Sequence, residues 1–425
     1  MNIFRSNKNA EVASVFKGMF TLAKGAVFAR IIGLVSIPVL TRIYSPEDYG
    51  VLALYTSLVA ILAPILTLRY VQAIPLPKTD TIAINLFSVC LFLILVSSLS
   101  IAVLLFFFNE VILSWFDMGT LAPWWPIIVL GAAGTALYEL FSLWATRKKQ
   151  YKVIARTQIS QSLFGNLAKI SLGLLSLKPA GLLIGQFIAQ SGGVGSFIKQ
   201  SLPDFVSLRS NITRRRSAFI SRYYHDFPLY RLPSQILMSI SLQAPTLMMA
   251  ALFSKESTGQ LSLAMVALNL PITLIVRAVS KAYYAEISSI GKNHIDRIRS
   301  ITFAVQKKLF LIGLPLTILT MLLAEHVFVI VFGSEWLKAG EMAAILAPFM
   351  LLQFTSLPLI EAINVVGSQL HFLILSIVRV LGLSIMFIGS VYFHVHESTF
   401  LIMLSAYLTL FYLFTSVFVI LSMRK

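Results

Sequence analysis

Apolar blocks of twenty or so residues alternate with short polar stretches from one end of the chain to the other. A block of that length, coiled as a helix rising 1.5 Å per residue, crosses the roughly 30 Å of hydrocarbon in a bilayer. Twelve such spans are predicted: Phe16–Leu40, Tyr49–Leu68, Ile82–Phe107, Leu121–Trp144, Val153–Leu177, Ala180–Phe197, Phe227–Phe253, Gly259–Val279, Phe303–Val331, Met342–Val366, Phe372–Tyr392 and Phe400–Leu421. The fifth is the most polar, carrying Gln158, Gln161, Asn166 and Lys169, and the sixth is rich in Gly, its Gly181-x-x-x-Gly185 expected to let it approach a neighbouring helix closely. The first apolar run is full length and has no small-residue cleavage site at its end, so it is expected to stay as a span and not to be removed as a signal. No stretch between spans reaches 40 residues. The pattern predicts an all-α polytopic membrane protein.

The turn after the first span is Ser45-Pro46-Glu47-Asp48-Tyr49-Gly50. Ser45 is placed to cap the next helix, Pro46 suits its first position, and Glu47 and Asp48 complement the positive end of its dipole. The motif Ser-x-Glu-x-x-Gly returns as Ser254-x-Glu256-x-x-Gly259. Pro38 precedes the first copy and Pro245 the second. The third span ends in Asn109-Glu110 and the ninth in Ala324-Glu325, while Glu139 and Glu361 sit near the inner ends of the fourth and tenth. The spacings differ but the order agrees. Six spans per half is even, so both halves enter the bilayer in one direction, as parallel repeats with a site between them. The expected layout is a six-helix bundle over residues 1–200, a basic cytoplasmic linker over 201–222 and a second six-helix bundle over 223–425. Arg214, Arg215 and Arg216 in the linker are expected to act as a positive-inside anchor.

Composition agrees with the membrane assignment. Only 12% of the 425 residues are charged and 57% are hydrophobic, about half the charge of an average soluble protein. The net charge of +17 would suggest nucleic acid in a soluble chain, but its distribution points elsewhere. With the N-terminus inside, 23 Lys and Arg fall in cytoplasmic segments and four (Arg42, Lys178, Lys255 and Lys338) in external loops, which predicts cytoplasmic N- and C-termini. Trp115, Trp124, Trp125, Trp144 and Trp336 fall at predicted span ends, where indole favours the interface. The lone Cys90 excludes an internal disulfide and is expected to be a small apolar filler.

The chemistry lies in the charges within the spans. Each costs about 2.5–3.5 kcal/mol at a helix centre and so requires a partner or a watery cavity. Lys24 and Arg30 lie on the first span, roughly 12 and 21 Å from its inner end. Lys169 lies on the fifth, Arg231 on the seventh, Arg277 on the eighth and Arg379 on the eleventh. Against them stand Glu139 and Glu361, as coupling or counter-ion carboxylates, with Glu325 near the outer end of the ninth. The excess is positive, so the cavity should prefer an anion. Guanidinium forks suit phosphate oxygens. Lys24, Arg30, Lys169, Arg277 and Arg379 are therefore the candidate substrate residues. Lys24, Arg231, Arg277 and Glu139 are also near enough to an interface to snorkel. Asn166, Gln186, Gln190, Gln243, Asn269, Gln353 and Asn364 are candidates for reading the cargo, or for binding helices together. No hydrolytic, nucleotide-binding or metal-ligand motif is evident, and His394-x-His396 lacks a third ligand. No enzyme activity, metal or cofactor is expected.

The stretch Pro38-Val-Leu-Thr-Arg42-Ile-Tyr-Ser45-Pro46-Glu-Asp-Tyr49-Gly50, with Leu68-Arg69, Ala73-Ile74-Pro75-Leu76-Pro77 and Arg147-Lys148-Lys149-Gln150-Tyr151, resembles the Wzx-type polysaccharide flippases. These belong to the superfamily that includes the multidrug and toxin extruders. The resemblance implies two six-helix bundles in a V, a cationic lumen and alternating access. It implies a cargo of undecaprenyl-pyrophosphate carrying an oligosaccharide repeat unit, moved from the cytoplasmic to the periplasmic leaflet of the bacterial inner membrane for O-antigen or capsule assembly. A polysaccharide polymerase and a chain-length regulator would be partners. A multidrug-type exporter of the same fold, a peptidoglycan-precursor flippase and a membrane polymerase are the alternatives. The first calls for an anionic lumen, the second for spans beyond twelve, and the third for a large outer loop.

Overall fold

The computed structural model describes residues 2–114, 119–291, 294–366 and 369–423, and the side chains from 20 onward with those of 120, 274, 364 and 366–370 excepted. Among the described residues every regular element is helical. In chain order the helices are α1 (Asn2–Ile43), α2 (Pro46–Leu66), α3 (Asp80–Ser114), α4 (Trp125–Arg147), α5 (Tyr151–Leu174), α6 (Ala180–Ser191), α7 (Val194–Leu208) and α8 (Arg214–Tyr223), then α9 (Leu232–Leu252), α10 (Lys255–Pro271), α11 (Arg277–Ile290), α12 (Ile295–Phe332), α13 (Leu337–Val366), α14 (Gln369–Tyr392) and α15 (Glu397–Ser422).

Among the described residues, ten of the predicted spans are continuous helical stretches long and apolar enough to cross a membrane. The other two are helical as well. The fifth is α5, made more polar by its amides and Lys169. The eighth is divided: α10 stops at Pro271, a π-turn covers Ile272–Val276, and α11 follows. Proline removes a donor from the ladder, and a π-turn absorbs the mismatch. A second π-turn, Phe227–Arg231 around Pro228, opens the seventh span.

The chain forms two compact units: residues 1–44 with 54–239, and residues 45–53 with 240–425. The expected linker over 201–222 is helical, made of the end of α7, a 3-10 turn at Arg209–Asn211 and α8. Its position is set by Asn85, fully buried on α3. The Asn85 amide donates to the Asn211 carbonyl at 3.0 Å, and its oxygen accepts from the Thr213 backbone at 3.1 Å and the Ser217 hydroxyl at 3.2 Å.

The core of the first unit gathers Phe87, Cys90, Phe141, Trp144 and Phe197 around the turn after α2. Cys90 is fully buried there, as a small filler should be. Trp144 corrects an expectation. It lies near the end of α4, but its ring faces Phe87 and Phe205 and is fully buried. Trp336 is buried edge-on to Tyr49 in the second unit. Position along a helix sets depth, while the face decides between bilayer interface and core. Trp115 lies outside the described residues.

Both copies of the repeated turn cap their helices as expected. The Ser45 hydroxyl accepts from the Asp48 backbone at 3.3 Å, and the Asp48 carboxylate takes the Ser45 backbone N–H in return at 3.0 Å. Such reciprocal capping satisfies two otherwise orphaned donors. Ser254 accepts from the Ser257 backbone at 3.0 Å. The second unit also shows why each copy ends in Gly. A Cβ on Gly50 would overlap the Lys255 carbonyl, and one on Gly259 the Pro46 carbonyl. The two turns cross at their glycines, backbone on backbone.

Candidate functional site

The turn between α2 and α3 contributes the least expected residue. Leu68 and Arg69 both take left-handed backbone (φ 46° and 60°), an uncommon conformation for residues with a Cβ. This reversal sends the Arg69 guanidinium into the first unit. One Nη donates to Glu139 Oε1 on α4 at 3.2 Å and the other to Gln235 Oε1 on α9 at 3.3 Å. The Arg69 side chain is 9% exposed and that of Glu139 30%. Burial lowers the Arg69 pKa from its ordinary value; the Glu139 carboxylate opposes this and the nearby Arg231 charge adds to it. The guanidinium keeps its charge through the physiological range. Next along the chain, the Tyr70 hydroxyl donates to the Ser221 carbonyl on α8 at 2.9 Å, tying the turn to that helix.

Arg69 was expected to be one more cytoplasmic cation, and Glu139 either a coupling carboxylate or a snorkelling one. Sequence reasoning missed their pairing because seventy positions separate them. The available signal was the Leu68-Arg69 pair within the resembling stretch.

Glu139 also borders an open cavity of about 480 Å³, lined by Gln72, Thr135, Tyr138, Glu139, Ser142 and Leu143. Tyr138 and Thr157 share a hydroxyl hydrogen bond of 3.1 Å, and Thr135 donates to its own helix at Gly131. The Gln72 amide and the Ser142 hydroxyl make no side-chain hydrogen bond among the described residues.

The predicted cations occupy different surroundings. Lys24 is exposed and lies over the Phe20 ring at 4.5 Å. Arg30 is exposed on the same helix, but six residues further on, about 120° away around a helical wheel, so the two do not share a face. Lys169 is buried between α5 and α6, where Gly165 and Gly185 let the backbones meet, as the Gly181-x-x-x-Gly185 pattern predicted. Its ammonium donates to the neutral Gln186 amide at 2.7 Å. Among the described residues no carboxylate lies within ion-pair range of it.

In the second unit Arg277 is exposed at the start of α11, directly after the π-turn. Arg379 on α14 lies against two rings, 5.6 Å from the Phe411 centroid and 5.8 Å from that of Tyr412. Its Nη1 donates to the Tyr412 hydroxyl at 3.5 Å, and its buried Nε has no partner among the described residues. Glu361 is partly buried on α13. A cavity of about 100 Å³ lined by Pro271, Ile272, Gly313, Thr317, Thr320 and Phe354 lies beside the π-turn.

Of the polar residues expected to read the cargo, Gln186 and Gln190 join helices, while Asn166 and Asn269 bond within their own. Asn166 and Asn269 donate to carbonyls of their own helices. Gln186 receives Lys169, and Gln190 receives the Tyr55 hydroxyl at 3.2 Å. The Asn364 side chain lies outside the described residues. Among the described residues no group of three or more His, Cys, Asp or Glu is placed to hold a metal.

Comparisons with known proteins place this arrangement. The chain is 24% identical over 357 residues to the succinoglycan biosynthesis transport protein ExoT of Rhizobium meliloti, over 80% of this chain and 66% of that protein. The chain thus spans just under two thirds of that relative's length. Its fold is similar to that of the lipid II flippase MurJ (TM-score 0.70, 14% identity, 95% of this chain and 87% of the other). It is similar also to a multidrug resistance MATE family transporter of the MOP superfamily (TM-score 0.64, 16% identity, 94% of each chain). The profile of a family described as polysaccharide biosynthesis protein matches residues 39–341. That match takes in most of the chain, so this multi-pass, all-α membrane protein belongs to the polysaccharide biosynthesis protein family, on the fold of the MOP-superfamily transporters.

Proposed function

We propose that this chain is a flippase for oligosaccharide repeat units linked to undecaprenyl-pyrophosphate. It moves them from the cytoplasmic to the periplasmic leaflet of the bacterial inner membrane by alternating access, with both termini in the cytoplasm. It performs no covalent chemistry on its cargo. The observation that carries the reading is the surplus of cations in membrane-spanning helices of a polysaccharide biosynthesis family member. Lys169 is buried against a neutral amide, and Arg379 is held by two rings and a hydroxyl. A cation without a carboxylate in hydrocarbon is costly, and a pyrophosphate would supply the missing charge.

In this reading Lys24, Arg30, Lys169, Arg277 and Arg379 serve the pyrophosphate as it passes, with Glu361 as a counter-ion or coupling carboxylate. An inside-negative potential favours outward movement of an anion by about 2.3 kcal/mol per charge per 100 mV. The polysaccharide is a surface polysaccharide, O-antigen or capsule, a reading supported by the polysaccharide biosynthesis family match and by a relative named for succinoglycan biosynthesis transport. A polymerase and chain-length regulator would receive the product.

The test is to extract lipid-linked oligosaccharides from cells lacking the chain and assign their leaflet with a membrane-impermeant oxidant. Repeat units trapped on the inner leaflet, with surface polysaccharide lost, are expected. Repeat units that reach the outer leaflet but stay unpolymerised would replace the flippase with a polymerase. Unchanged lipid-linked sugars would point to export of another amphiphile.

A further inference from the structure

The cavity beside Glu139 is chemically unlike the cationic positions. Its lining offers an amide (Gln72), two hydroxyls (Thr135 and Ser142), a phenol (Tyr138), a carboxylate (Glu139) and one aliphatic edge (Leu143), with no Lys or Arg. Arg69, the cation paired with Glu139, has its two Nη groups on Glu139 and Gln235. A phosphate entering this space would find a carboxylate in its lining and no cation there. A polyhydroxylated ring would find both donors and acceptors, a flat aromatic edge at Tyr138, and two groups, Gln72 and Ser142, with no side-chain partner to lose. At about 480 Å³ the space lies within the range of small-molecule sites.

We infer that this cavity, formed by Gln72, Thr135, Tyr138, Glu139 and Ser142, is a sugar subsite that takes an uncharged hexose or N-acetylhexosamine and rejects a uronic acid. The inference rests on the flippase reading and deepens it: cations hold the pyrophosphate, and this neutral-to-acidic cavity reads the sugar. Rejection of the uronate follows from charge. Its carboxylate would stand beside Glu139, whose own compensation is already complete, and like charges brought together out of water repel strongly. Selectivity of the other kind follows from the free polar groups. A sugar hydroxyl paired with Gln72 or Ser142 gains a hydrogen bond at no cost to the fold.

The test uses the full chain in lipid nanodiscs and four probes built on one short polyprenyl pyrophosphate: without sugar, and carrying glucose, N-acetylglucosamine or glucuronic acid. Binding is measured by calorimetry. The neutral glycosides are expected to bind at least about tenfold more tightly than the glucuronide. Gln72→Ala and Ser142→Ala should each weaken the neutral glycosides about 3- to 10-fold, as loss of one hydrogen bond does, and leave the sugar-free probe unchanged. Glu139→Gln should narrow the gap between glucuronide and glucoside. Should that variant fail to fold because Arg69 loses its partner, Gln72→Ala and Ser142→Ala still decide the matter. If the sugar-free probe and all three glycosides bind alike, and neither variant discriminates among them, the sugar subsite is refuted and the flippase reading stands. If no probe binds, with or without sugar, the flippase reading fails and the subsite with it.

Discussion

Replacing Gly259 by Ala places a methyl group where the Pro46 carbonyl already is. A flexible side chain could swing away, but a backbone carbonyl inside a helix moves only with its helix. The cost therefore falls in the upper part of the range for overpacking, about 2–3 kcal/mol. Against it stands the ordinary gain of Gly→Ala in a helix, about 0.5–1 kcal/mol. The net loss is about 1–2.5 kcal/mol. Gly50→Ala meets the Lys255 carbonyl and should lose a similar amount. The double variant should lose less than the sum, because the helices part once for both methyls. Gly389 on α14 is the control, since a Cβ there has nothing within 4 Å; Gly389→Ala should gain about 0.5–1 kcal/mol. The assay is SDS titration of the full chain in detergent micelles, followed by tryptophan fluorescence. A Gly259→Ala protein as stable as the parent, or stabilised alongside Gly389→Ala, would refute the crossing.

Arg69→Ala should destabilise the first unit by about 2 kcal/mol, less than the 3–5 of a fully buried pair because Glu139 keeps 30% exposure; the double variant with Glu139→Gln should recover part of the loss in the same titration. Lys169→Met keeps the stem over Gly185 and removes the charge, so stability should hold or rise while flipping in proteoliposomes falls about tenfold or more (1.4 kcal/mol per decade); undiminished flipping would remove Lys169 from the cargo's path. Asp80 accepts from Arg147 at 2.9 Å and Lys148 at 2.6 Å with 39% of its side chain exposed. Asp80→Asn should therefore cost no more than about 1 kcal/mol, and the cost should fade at high salt, as thermal melts at two ionic strengths would show.

Much of this molecule was readable because hydrocarbon imposes a simple length rule. Span ends, both helix caps and the close approach at Gly185 follow from local composition. The fifth span gives the weakest apolar signal because of the amides and Lys169 of α5, and the apolar run of the eighth does not show that a π-turn divides it after Pro271. What stayed hidden depends on which way a helix faces and on partners far apart in the chain. Trp144 and Trp336 sit at helix ends yet turn into cores. Lys24 and Arg30 share a helix but differ in depth by about 9 Å and point in different directions. Arg69 reads as an ordinary loop cation until the left-handed turn at Leu68 and Arg69 directs it onto Glu139. The repeated Ser-x-Glu-x-x-Gly motif was visible, but nothing in one sequence says that its two copies touch each other.

Asn85 has a consequence for how the protein is made. Its long-range partners lie 126 to 132 residues later in the chain. At about 5–20 residues per second, the ribosome needs about 6–25 s to deliver them after α3 has emerged. Throughout that interval α3 carries an amide whose one local acceptor is the Thr81 carbonyl. The third span thus waits in the membrane as an unfinished piece, and completing the first unit depends on the translation of α8. A nascent chain arrested at residue 208 should leave α3 accessible to an insertion chaperone, and one arrested at residue 270, with α8 clear of the ribosome, should not.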